Sequence, residues 1–262
     1  VDLPAAKLIY SRQTDFQTIE VSQNAEFRLL RTDKIAVQSA LLRKKPEQLV
    51  LPYMQAMMAA FLFQPSPRQI ILFGLGGGDM VRQLHFQLPD SQITAVEIDP
   101  AIVDVSRGYF ELPESDKVTV QIDDAAHFLH QDNQHYEMML IDIYGGKEMP
   151  SLLQTPDFYQ HCHQQLKDNG VLVLNLLTND ADKFREILWL IRQRFNHSTL
   201  CLTVPGHINI IVFAFKKRPT ELNQPVLLHK AEQLKQKFGL EFEEWATQLF
   251  STNPTEDGEL IF

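Results

Sequence analysis

The stretch IILFGLGGGDM, from Ile70 to Met80, decides the fold. An apolar run of β-branched and large side chains ends in four glycines within five residues, and an acid follows at Asp79. A buried strand that stops at a glycine turn and passes into a helix is the usual opening of a nucleotide-binding α/β unit. The glycines Gly74, Gly76 and Gly78 allow the backbone to turn tightly and to approach a ligand without intervening side chains.

Working outward, the same alternation repeats. Strand patterns ITAVEI, VTVQI, MMLID and VLVLNL are separated by helical patterns at about 79–88, 100–110, from 125, 155–166 and 182–195. Strands and helices alternating at this spacing imply a doubly wound, mostly parallel α/β sheet covered on both faces. The segments STLCLTV and IIVFAFK are separated only by a turn around PGHIN, so they form an antiparallel hairpin that closes the sheet. Upstream, FQTIEV and FRLLRTDKIAVQ alternate as in a small antiparallel β module, and a helix is expected over Pro46–Phe63, ended by QPSP. The expected organisation is therefore an N-terminal β module with a linking helix (1–66), a nucleoside-binding domain (67–217) and a C-terminal helical tail (218–262).

The chain has 262 residues and a net charge of −9, with only the short basic runs at Arg43 and Lys216. That balance disfavours nucleic acid as a partner. Two cysteines far apart fit a reduced, cytoplasmic setting, and the apolar window Leu51–Phe63 is too short for a membrane span. His161 and His163 lie on different helix faces, and His127 with His130 lacks a third ligand, so no metal site is expected.

In an open α/β sheet, ligands bind beyond the carboxyl ends of the strands. Those ends carry Asp79, Glu97 with Asp99, Asp123 with Asp124, and Asp142. Glu97 stands where an acid accepts hydrogen bonds from ribose hydroxyls, and Asp124 can accept from an adenine amine. The dinucleotide pattern G-x-G-x-x-G is not met from Gly74 or from Gly76, and a carboxylate at the start of the helix would repel a pyrophosphate. A sulfonium nucleoside carries no phosphate, and its amine suits an acid there.

The run GGGD, then VEID, an acidic pair opening a helix, YEMMLID and FYQHCHQQLKDNGVLVLN resembles the spermidine synthase family, the polyamine aminopropyltransferases of class I methyltransferase fold. The resemblance spans roughly Ser11 to Lys216. It implies that Gln17 and Gln38 line the nucleoside site, that Asp79 meets the amine of the donor side chain, that Glu97 holds the ribose, and that Asp124 and Ala125 flank the adenine. Asp142 would stand where donor meets acceptor. The implied donor is S-adenosylmethionine or its decarboxylated form, with methylthioadenosine as product, the acceptor a small molecule such as an amine, and the assembly a homodimer.

The acceptor side departs from the family. Gly145, in DIYGG, occupies the place of a second acid, and Leu51, Pro52 and Tyr53 replace a Tyr-His-Glu run. A glycine cannot take the proton that an attacking ammonium must lose, so ordinary spermidine synthesis is not expected. Asp142 and Tyr144 are then the candidate catalytic residues. Two readings stay open: a transferase moving a methyl or aminopropyl group, and a catalytically silent nucleoside-binding relative that senses its ligand or pairs with another subunit.

Overall fold

A computed structural model describes residues 4–33, 36–143, 149–177 and 180–262. The chain opens with β1 (Lys7–Gln13), β2 (Thr18–Gln23), β3 (Phe27–Thr32) and β4 (Ala36–Leu42), paired in sequence order as an antiparallel sheet. Ile19, Val21, Leu29, Leu30 and Leu41 are fully buried on it.

The expected helix over Pro46–Phe63 is shorter than its periodicity. Only α1 (Pro52–Met57) is α-helical, and it runs into a 3-10 turn at Met58–Leu62. Pro52 sets the start: it fits the first turn of a helix, where its missing N–H costs nothing, and it holds Leu51 extended at φ −77°, ψ 126°.

The central sheet has seven strands. Its parallel part comprises β5 (Gln69–Phe73), β6 (Gln92–Glu97), β7 (Val118–Ile122), β8 (Tyr136–Ile141) and β9 (Leu166–Leu177), and β10 (Thr199–Thr203) and β11 (Asn209–Phe215) complete it. The order is β7-β6-β5-β8-β9-β11-β10, and β11 is antiparallel to both β9 and β10. This is the expected doubly wound sheet with a closing hairpin. Helices α2 (Asp79–Gln87), α3 (Pro100–Tyr109), α4 (Ala125–Gln131), α5 (Pro156–Gln165) and α6 (Ala181–Arg194) connect the strands. Strand β9 starts five residues earlier than its apolar run, because an irregularity between Tyr136 and Met138 lets Leu166 pair before the turn-prone KDNG segment.

The C-terminal part forms α7 (Gln224–Phe238) and α8 (Phe242–Thr252), and then a hairpin of β12 (Thr255–Glu256) and β13 (Glu259–Leu260) where only a polar end was expected. Asp257-Gly258 makes its turn, with φ of 48° and 78°. Leu227, Phe238, Phe242 and Leu249 pack in the same core as Leu29 of the first sheet and the Met58–Leu62 turn. A second core, on the other sheet face, holds Phe158, Cys162, Ile187 and Phe195. Among the described residues, no helix is long and apolar enough to cross a membrane.

Candidate active site

The carboxyl ends of β5, β6, β7 and β8 open into a cavity of about 300 Å³, roofed by the first sheet through Phe16, Gln17 and Gln38. Of the residues expected to form the site, Gln17, Gln38, Gly74, Gly76, Glu97, Asp124, Ala125 and Asp142 line it. Gly78 and Asp79 stand behind the wall, both buried. Tyr144 and Gly145 lie outside the described residues.

The glycine loop is shaped by its neighbours as much as by any ligand. A Cβ on Gly74, which has φ +91°, would stand 2.2 Å from the carbonyl oxygen of Asp142. Gly77 is pressed against Ser39 and Phe110, and its N–H donates to the Ser39 hydroxyl at 2.7 Å. Gly78, at φ +76°, supplies the left-handed residue that turns the loop into α2.

Asp79 is 3% exposed and pairs with Arg82 at 2.8 Å through Oδ1, while its Oδ2 is buried with no hydrogen-bond partner among the described residues. Arg82 donates to the carbonyls of Pro46, Gly77 and Phe110 as well as to Asp79, four of its five N–H groups. Burial lowers its pKa, and the Asp79 carboxylate opposes that shift. The arginine thus bolts the glycine loop to the end of α3 and to the segment after β4. A buried, unpaired carboxylate oxygen is costly unless a ligand cation reaches it.

Glu97 accepts from the Leu75 amide through Oε2 and from the Asp99 amide through Oε1, both at 3.0 Å. Burial raises its pKa, and those amide bonds pull it back. The Ile98 amide also acts on this carboxylate, and its remaining lone-pair capacity is open to a hydroxyl. Asp124 and Asp99 carry structural duties that the acid pattern did not reveal. Asp124 caps α4 by accepting from the amides of Ala126 and His127, and Asp99 caps α3 by accepting from Ala101. The second oxygen of Asp99 accepts from Thr14 Oγ1 at 2.8 Å and Gln17 Nε2 at 3.4 Å, which ties the β1–β2 loop to the sheet. At the rim, Asp123 is bonded to His127 Nδ1 at 2.7 Å.

Asp142, directly after β8, is a strongly perturbed acid of the cavity. Burial, aided by the Asp79 charge, raises its pKa to about 6, against hydrogen bonds from Asn175 and Tyr53 that lower it. The Asn175 amide donates at 2.8 Å. The Tyr53 hydroxyl lies between Asp142 and the Gln38 carbonyl, 3.5 Å away, and burial beside two carboxylates keeps the phenol protonated well beyond its usual range. Sequence reasoning treated Tyr53 only as a missing acid and did not single out Asn175. The signal for Asn175 was present, as the one polar residue inside VLVLNLL.

The cavity wall carries Asp33, Glu97, Asp123, Asp124 and Asp142, and no Lys, Arg or His among the described residues. Such a surface favours a cation and disfavours phosphate. Among the same residues, no group of three His, Cys, Asp or Glu side chains is gathered as a metal site.

Comparison with known proteins agrees with the order of these motifs. The chain is 31% identical over 244 residues to the polyamine aminopropyltransferase of Chromobacterium violaceum, with 93% of each chain covered. Its fold superposes on a probable spermidine synthase from Corynebacterium glutamicum with a TM-score of 0.71 at 20% identity, covering 99% of both chains. It also superposes on human methyltransferase-like protein 13 in complex with SAH, with a TM-score of 0.67 at 24% identity, covering 72% of this chain and 93% of that one. The family model for the spermine/spermidine synthase domain matches residues 52–222. The chain therefore belongs to the spermine/spermidine synthase family, a family of transferases built on the methyltransferase fold.

Proposed function

We propose that the protein binds decarboxylated S-adenosylmethionine and transfers its aminopropyl group to a small amine, releasing methylthioadenosine. The observation that carries this reading is the cavity wall of five acids with no basic side chain among the described residues. Both donor forms bring a sulfonium and an amine, but S-adenosylmethionine also brings an α-carboxylate. In this cavity that carboxylate would meet only like charge, and the nearby Arg82 is already committed to three carbonyls and Asp79. The decarboxylated donor avoids the conflict, and its amine adds a cation to a wall that carries only acids. The relative from Chromobacterium violaceum, named a polyamine aminopropyltransferase, supports the same choice.

In this reading Glu97 holds the ribose, Asp124 and Ala125 flank the adenine, and Gln17 and Gln38 close the site from above. Asp142 takes the role left open by Gly145. A carboxylate with a midpoint near 6 is ionised at neutral pH and is a better proton acceptor than an ordinary aspartate. The amine passes a proton to Asp142 and attacks the carbon next to the sulfonium; the new C–N bond forms as the C–S bond breaks, and its electron pair stays on sulfur.

A second reading, the catalytically silent relative, is favoured by one observation, Gly145 in place of a second acid. Calorimetry with both donors, followed by mass analysis of a polyamine panel, tests both. Tighter binding of the decarboxylated donor and an aminopropylated product are expected. Preference for S-adenosylmethionine with a methylated product would replace aminopropyl by methyl transfer, and binding without any product would leave the silent reading.

A further inference from the structure

Asp142 is reached from the neighbouring strands β9 and β11 by a chain of two amides. Asn175 Nδ2 donates to Asp142 Oδ1 at 2.8 Å, and Asn209 Nδ2 donates to Asn175 Oδ1 at 2.9 Å. Asn209 pairs with Leu177 and Asn175 with Ile211, so the two asparagines are diagonal neighbours on one face of the β9–β11 pair. Asn209 is 6% exposed, and it is the first residue of the strand that follows the closing turn.

The chemistry fixes the direction of this chain. An ionised carboxylate only accepts hydrogen bonds, so Asn175 must turn its NH₂ to Asp142 and its carbonyl outward. A carbonyl turned outward needs a donor, and Asn209 is the group that provides one. We infer that Asn209 is a positioning residue, which locks the Asn175 amide in the one orientation that donates to Asp142. Without it, rotation of the Asn175 amide would bring oxygen against oxygen, an arrangement tolerated only when Asp142 holds a proton. Tyr53 and Asp79 are the other titratable groups acting on Asp142, and neither touches this amide chain in the described residues.

The inference rests on Asp142 as the proton acceptor, and its test separates the two. Carboxyl carbon NMR of the ligand-free protein, with the Asp142 signal assigned by Asp142→Asn, reads the midpoint of this group without any turnover. Asn209→Leu is expected to raise that midpoint by roughly half a pH unit or more, as loss of a hydrogen bond to the charged form requires. Asn209→Ser withdraws the amide donor in a smaller polar side chain and serves if the leucine variant does not fold. Asn175→Leu should raise the midpoint at least as far, and adding Asn209→Leu to it should change nothing more. An unmoved midpoint in both Asn209 variants overturns the inference, as does a further shift in the Asn175→Leu background. Where turnover is present, the acidic limb of the pH profile should move with the midpoint while donor KM stays constant. Absence of turnover in the unmodified protein counts against the functional reading alone, and the midpoint still decides the role of Asn209.

Discussion

Asp79 and Arg82 form a buried ion pair at 2.8 Å that uses only one of the two carboxylate oxygens. Buried behind the cavity wall, the carboxylate acts on this end of the donor site through space, as it does on Tyr53 and Asp142. Asp79→Asn should weaken binding of either donor by about threefold to tenfold, the loss of a through-space attraction of roughly 1 kcal/mol. Methylthioadenosine lacks the donor amine, and its affinity should change far less. Equal losses for donor and methylthioadenosine, measured by calorimetry, would show that the variant had disturbed the loop and not an attraction to the amine.

Asp142 gives a pH signature. Its pKa is raised from 3.8 to about 6 in the folded chain, so the stability tied to its neutral form is fully present below pH 3.8 and is lost as pH rises through 6. The full shift corresponds to ~3 kcal/mol, and partial exposure of the side chain reduces the expected effect to about 1–2 kcal/mol. Asp142→Asn should therefore melt higher than the unmodified protein at pH 8 and show little difference at pH 4. The same variant should lose nearly all turnover. A melting difference that is constant with pH would exclude a raised midpoint.

Gly74 separates packing from ligand binding. Gly74→Ala places a methyl group within 2.2 Å of the Asp142 carbonyl at φ +91°, and a backbone atom cannot yield as a flexible side chain does. Denaturant unfolding should show a loss of about 3 kcal/mol or more. Gly206→Ala, at φ +75° with open space around it, should lose only about 1 kcal/mol for its backbone conformation.

Thr14 tests the tie between the β1–β2 loop and the sheet. Its hydroxyl donates to Asp99 at 2.8 Å and accepts from the amides of Phe16 and Gln17. Thr14→Val should weaken nucleoside binding by about fivefold to tenfold, equivalent to ~1 kcal/mol, and should leave the melting temperature within a few degrees. A collapse of stability with unchanged affinity would instead make this tie a purely structural one.

Much of this was legible in the sequence, for identifiable reasons. Apolar runs ending in acids at Glu97, Asp124 and Asp142 marked the strand ends, and in an α/β sheet strand ends converge. The closing hairpin could be read because its connection is too short for a parallel return. The helix after Leu51 was overextended because apolar periodicity ignores what a proline does to its predecessor. The last hairpin was missed although Asp257-Gly258 is a standard turn pair, since its strands are only two residues each. Tyr53, Asn175 and Asn209 could not be assembled from pattern alone. Their meeting depends on the register of β9 against β11 and on the depth at which α1 packs, neither of which is a local property of the chain. Tyr144, singled out from DIYGG, lies outside the described residues.

The contact between Ser39 and Gly77 also bears on how a ligand gets in. The serine hydroxyl holds the loop amide from one side while Phe110 closes the other, so a hinge between the first sheet and the glycine loop would strand a buried N–H. The bond fastens the first sheet to the glycine loop. At the rim of the cavity, the side chains of Phe16 and Ile98 are half or nearly half exposed, at 53% and 45%. A ligand passing beside them would need only side-chain rotation, whereas parting the first sheet from the loop would break the Ser39–Gly77 bond.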